Sequence, residues 1–167
     1  TILATIWQHG LKAEPGIVAV LVGWALYILD GASAIVTSNI AWTYQLHGTM
    51  WQSGHFMTVV LSMSMMWMGV LYHHYPVLTG RKLDPALGYL YVKLISVGSL
   101  GAAIVMLAGG AAGMPRRFAD WHPEGWMLYG NLILLFGLIL GASFAVYLYN
   151  LMKSREISAP MGELARA

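Results

Sequence analysis

Cysteine is missing altogether, so disulfides, thiolate-held metals and iron–sulfur clusters cannot be built from this chain. Charge is scarce as well: 10% of residues are charged against 58% hydrophobic, too few to cover a water-facing surface. With a mean hydropathy of +0.64, the chain reads as a membrane protein. The formal net charge is only +2 and no basic run occurs, which argues against a nucleic-acid partner. There is no phosphate-cradling glycine loop, no nucleophile elbow and no pair of catalytic carboxylates. A cleavable signal is not evident either, because His9, Lys12 and Glu14 interrupt the first residues. The start reads as the middle of a larger protein.

What is present is a succession of apolar runs. A helix needs about 20 such residues to cross the hydrocarbon, and four runs qualify: about 17–40, 50–76, 85–110 and 125–152. Together they predict an all-α membrane domain over 17–152, preceded by an interfacial segment at 1–16 and followed by a polar, mobile tail at 153–167. Pro76 and Thr79-Gly80 are expected to stop the second span.

Four spans put both ends on one side. Lys12, Arg81, Lys82, Lys93, Lys153, Arg155 and Arg166 fall on that side, against Arg116 and Arg117 on the other. The positive-inside rule then makes both termini cytoplasmic and turns His47, Arg116 and Arg117 outward.

Few residues in these spans carry chemistry. His55 lies about 8 Å inside the second helix at 1.5 Å per residue, where an imidazole needs a partner: a neighbouring helix, a metal or a haem iron. Gly54 before it leaves room for something bulky, and Trp51 and Phe56 are placed to pack against a flat ring. Met57 points about 200° away from His55 around the helix, so one helix could touch two cofactors. Methionine is an axial haem ligand as well as an apolar filler. Arg116 and Arg117, after Pro115, suit bidentate capture of carboxylates, or act as ordinary interfacial anchors. His47 lies at their level and suits the same carboxylates or an outer metal. Asp30, within the first span, calls for either a structural pairing or a proton-conducting role, with a helix break at Gly31 easing its burial. His73 and His74 sit beside Tyr72 and Tyr75 at the opposite end, as an interfacial belt rather than a metal doublet.

The motifs His47-x-Thr49-x-Trp51-x-x-Gly54-His55-Phe56, Leu61-Ser62-Met63, Tyr75-Pro76-x-Leu78-Thr79-Gly80 and Gly113-Met114-Pro115-Arg116-Arg117 occur in this order. They resemble the last third of subunit I of haem-copper oxygen reductases, the B-type branch in particular. The resemblance implies that the four spans match the last four helices of that subunit's twelve-helix bundle. It implies that His55 is the proximal ligand of the high-spin haem, that Arg116 and Arg117 hold the haem propionates, and that His47 stands near the propionates or an outer magnesium. Met57 stands where the family usually has the histidine ligating a second, low-spin haem. That haem is then His/Met ligated, ligated elsewhere or absent. Gly48 replaces a side chain that helps bind the outer metal in many members.

Nothing here matches the family's copper-ligating histidines, so no catalytic set is complete in this chain alone and copper falls to a partner chain. The expected function is a share of the catalytic subunit of a terminal oxidase in a prokaryotic plasma membrane, reducing oxygen to water with proton uptake. Its expected partners are the remainder of subunit I, a subunit II-like chain that delivers electrons, membrane lipid, and quinol or cytochrome c as donor. The polypeptide is either naturally split or part of a longer chain. Two other readings stand beside this one: a nitric oxide reductase of the same superfamily, and a cofactor-free scaffold or assembly subunit derived from it.

Overall fold

The computed structural model describes residues 10–117 and 124–156, together with Ala4 and Gln8. Among these residues four helices are long and apolar enough to span a membrane: α1 (Pro15–Ser38), α3 (Met50–Thr79), α4 (Pro85–Ala111) and α5 (Met127–Met152). A short α2 (Ile40–Leu46) joins the first two. The chain is a multi-pass, all-α membrane protein.

Local chemistry sets the helix ends. Pro15 and Pro85 open α1 and α4, where a missing N–H costs nothing, and the Asp84 side chain caps α4 by accepting from Ala86 N at 2.8 Å. Thr49 caps α3 in the same way through Trp51 N. At the far end of α3, Gly80 adopts φ +65°, a left-handed conformation that ends helices cheaply only at glycine.

Several boundaries differ from those read off the sequence. The first span ends at Ser38, because the Asn39 side chain accepts from Ala41 N and starts α2 inside what reads as a loop. The second span runs through Pro76 to Thr79. A proline that close to the end removes one bond, and the Gly80 N–H closes the last turn on the Pro76 carbonyl at 2.9 Å. The third span ends one residue later than expected, at Ala111, and a turn of 3₁₀ helix at Glu124–Trp126 precedes α5. No break occurs at Gly31, which lies within continuous helix. The tail expected from residue 153 begins as structure: β2 (Arg155–Glu156) pairs antiparallel with β1 (Arg81–Lys82). Most of segment 1–16 before Gly10, and residues 157–167, lie outside the described residues.

Packing follows chain order. α1 lies along α3, α3 along α4, and α4 along α5, with a smaller contact between α1 and α4. The shared core holds Ala19, Leu26, Leu61, Met65, Tyr91, Val92, Ile95, Leu140 and Tyr147. Small residues bring the backbones together: a Cβ at Gly16 would lie 2.7 Å from the Gly69 carbonyl oxygen, and one at Gly110 would collide with the backbone of Trp51. These two crossings fix how far α3 stands from its neighbours and therefore where His55 lies.

Candidate functional site

The α1–α3 crossing is lined by polar groups at one level. Asp30, Ser33 and Thr37 follow at helical spacing and share one face of α1. Across from them, His55 Nδ1 lies 2.9 Å from Asp30 Oδ2 and 2.9 Å from Ser33 Oγ. Ser33 Oγ is also 2.8 Å from Asp30 Oδ1. Thr37 donates to the Ser33 carbonyl at 2.7 Å and accepts from Trp51 Nε1 at 3.2 Å. The Asp30 side chain is 3% exposed and that of His55 26% exposed, so the carboxylate is enclosed while the imidazole reaches the edge of the bundle.

A hydroxyl has one proton, and this one has two acceptors of Asp30 in reach at 2.8 Å, the backbone carbonyl and a carboxylate oxygen. With Ser33 donating to Asp30, the two groups facing Nδ1 are both acceptors, and the proton between them belongs to Nδ1. Neutral His55 then carries its lone pair on Nε2. Among the described residues, nothing in the chain bonds that nitrogen. The flank of α3 next to it is apolar and open, with Phe56, Val60, Met63 and Trp67 all exposed.

Gly54 and Trp51, expected to make room for a flat ring and to pack on it, turn to the protein. A Cβ on Gly54 would lie 3.0 Å from Met106 Cβ on α4, and Trp51 is bonded to Thr37. Met57 points away from His55 and packs against the shared core.

At the end of α3 that carries Thr49, the backbone gathers the remaining candidates. Thr49 bridges Pro115 antiparallel, Met50 N donates to Met114 O at 2.8 Å, and Arg116 N donates to Gly48 O at 2.9 Å. Gly48, at φ +86°, turns the chain into this strap. His47, Arg116 and Arg117 are thereby brought to one level, all three exposed. Among the described residues no carboxylate pairs with either guanidinium. A groove of about 510 Å³ opens nearby, lined by Val36, Trp42, Gln45, Leu46, Trp51 and Gly113 among others.

His73 and His74 meet edge to face at 5.1 Å, and His73 Nδ1 lies 3.5 Å from Glu14. Among the described residues no group of three or more His, Asp or Glu side chains converges to hold a metal ion. His9 and His122 lie outside the described residues.

Residues 1–140 match the sequence profile of the family described as cytochrome c and quinol oxidase polypeptide I. The chain belongs to this family. It is 25% identical over 162 residues to the probable cytochrome c oxidase subunit 1-alpha of Streptomyces avermitilis, covering 96% of this chain and 28% of that protein. It is 28% identical over 155 residues to cytochrome c oxidase subunit 1 of Thermostichus vulcanus, covering 91% of this chain and 28% of that one. With subunit 1 of Corynebacterium glutamicum the identity is 26% over 158 residues. The chain spans about a quarter of the length of the curated relatives it matches.

Membership in the oxidase polypeptide I family implies haem cofactors, and the residues of this chain fit one. A single imidazole with its outer nitrogen unbonded, on an open apolar flank and without companion ligands, suits an axial position on a macrocycle rather than an all-protein metal cage. Sequence reasoning singled out Asp30 and His55 separately but missed Ser33 and Thr37. The signal available was their spacing from Asp30 along one helical face.

Proposed function

We propose that this chain forms part of the catalytic subunit of a haem-copper terminal oxidase, as the portion that holds the high-spin haem from its proximal side. His55 would hold the haem iron through Nε2, Arg116 and Arg117 would hold its propionates, and His47 would hold a propionate or an outer metal. The observation that carries this reading is the state of His55: Nδ1 engaged with Asp30 and Ser33, and Nε2 without a hydrogen-bond partner among the described residues on a side chain that stays partly exposed. The haem, together with copper held by a partner chain, supplies the centre at which oxygen is reduced to water. This chain's residues position it and shield one side. The remainder of subunit I and a subunit II-like chain complete the enzyme, with quinol or cytochrome c as donor and protons taken up from the cytoplasm. The subunit lies in a prokaryotic plasma membrane with both termini cytoplasmic, as a B-type member whose spans are the last four of subunit I.

The test is a His55→Ala variant of the assembled complex. The high-spin haem spectrum is expected to be lost, and its full retention would overturn the assignment.

The other face of α3 supports a narrower statement. Met57 is a contact or ligand of a neighbouring low-spin haem, approached from the side of the shared core. A Met57→His variant is expected to change the spectrum and lower the potential of that haem, because a thioether ligand favours the reduced state. An unchanged spectrum and potential would leave Met57 as core packing. That packing also favours a second reading, a cofactor-free scaffold derived from the oxidase, which the His55→Ala experiment separates from the first.

A further inference from the structure

We infer that Asp30 and Ser33 are positioning residues for His55, holding its Nδ1 as a hydrogen-bond donor so that the ring plane is fixed and Nε2 is strengthened as the axial donor. This rests on the ligand role of His55 proposed above.

Enclosing a carboxylate in a membrane span is costly unless a partner satisfies it. Asp30 is satisfied by a particular set of groups. Oδ2 faces His55 Nδ1 at 2.9 Å, Oδ1 faces Ser33 Oγ at 2.8 Å, and among the described residues no lysine or arginine comes within 4 Å of either oxygen. The imidazole is thus the group that justifies the carboxylate's position. Two contacts on one ring nitrogen, from side chains three residues apart on one helix, also fix the rotation of the ring, which a single contact would leave free.

The chain of bonds beyond this pair shows its purpose. Trp51 donates to Thr37, and Thr37 donates to the Ser33 backbone carbonyl. The series ends on a carbonyl, with no exchangeable proton to pass on, so it does not form a proton wire from the His47 end to Asp30. It is a brace that ties the turn of α1 bearing Ser33 to the first turn of α3. A ligating histidine that donates its other N–H to a carboxylate is a stronger and better-oriented donor than one that donates to water. Stronger donation stabilises the oxidised metal, so loss of the carboxylate raises the potential.

The experiment uses the complete purified oxidase complex. Resonance Raman spectra of the reduced form report the iron–histidine stretch, and spectroelectrochemistry reports the potential of the high-spin haem. Asp30→Asn is expected to retain the haem, lower the stretching frequency and shift the potential upward. Ser33→Ala is expected to move both in the same direction by less, and Asp30→Glu to return them toward the parent. A haem-retaining Asp30→Asn complex with stretch and potential unchanged overturns the inference, including the case in which only proton uptake is impaired. If Asp30→Asn does not assemble, Ser33→Ala decides, since losing one hydroxyl leaves the fold intact and an unmoved stretch then overturns the inference. A His55→Ala complex that keeps its full spectrum brings down the ligand role itself, an outcome distinct from either.

Discussion

Two polar clusters lie at different levels of the same helix α3, and they treat their hydrogen bonds in opposite ways. Near its Gly80 end, Asn150 donates to Asp84 O at 3.0 Å and accepts from Asp84 N at 2.9 Å, while Tyr72 donates to the same carbonyl at 3.1 Å. Arg81 donates to Ser154 Oγ at 2.9 Å and to its carbonyl at 2.5 Å, and Tyr75 meets Ser154 at 3.2 Å. The chain satisfies this clasp from within, and strands β1 and β2 close it. At the Asp30–Ser33–His55 level, among the described residues, nothing bonds Nε2, and no carboxylate pairs with the guanidinium groups of Arg116 and Arg117. Bonds that close on themselves hold helices together. The cluster left open on one side is where the proposed haem would bind.

Substitutions at the two levels are therefore expected to separate stability from the proposed haem binding. The largest effect is expected where both depend on one close approach. Gly110 lets α4 touch the first turn of α3, and any Cβ there meets the Trp51 backbone, which cannot yield as a flexible side chain would. Gly110→Val is expected to cost about 3 kcal/mol, the upper part of the range for overpacking, and to weaken haem retention as well, because Trp51 anchors the brace. Thermal unfolding of the detergent-solubilised complex, followed with its haem spectrum, reads both. Loss of stability alone would show that the Trp51–Thr37 link contributes nothing to the site.

A smaller and purely structural loss is expected at the clasp. Asn150→Leu keeps the volume but leaves Asp84 N without its partner, while Asp84 O keeps Tyr72 and the Gly88 N–H, at a cost of about 1–3 kcal/mol. The haem spectrum is expected to be unchanged. A shift in the high-spin haem bands would break the comparison, since it would couple the closed cluster to the open one.

The four spans were legible because each is an apolar run of bilayer length, a signal that survives without knowledge of any neighbour. The ends were legible where the cap is local, as at Asp84-Pro85, and were missed where the outcome depends on competing signals. Pro76 and Thr79-Gly80 both read as stops, and of the two it is the left-handed Gly80 that sets the end. Ile40 reads as the end of the first span and the residues from Ala41 as a connection, yet Asn39 restarts the helix. Of the site, the individual residues stood out because a histidine and an aspartate are conspicuous in apolar spans. Their pairing did not, because it depends on the depth and rotation of α1 against α3. Those are set by the Gly16–Gly69 contact, and one sequence read alone does not say which small residues will meet.

The smallest expected effect tests the closed level at a single bond. Tyr147 is buried against Tyr91, with ring centroids 4.9 Å apart, and its hydroxyl donates to the Met68 carbonyl at 3.2 Å. That carbonyl lies within α3 and keeps its helical partner whatever Tyr147 does. Tyr147→Phe therefore removes one bond without orphaning the acceptor and without disturbing the aromatic pair, at a cost of about 0.6 kcal/mol, the average for such bonds between membrane helices. A loss several times larger in thermal unfolding would mean that the Met68 carbonyl relies on the tyrosine and that α3 is not regular there. Met68 lies on the helix that presents His55, so such a result would make the clasp part of what sets the imidazole's depth.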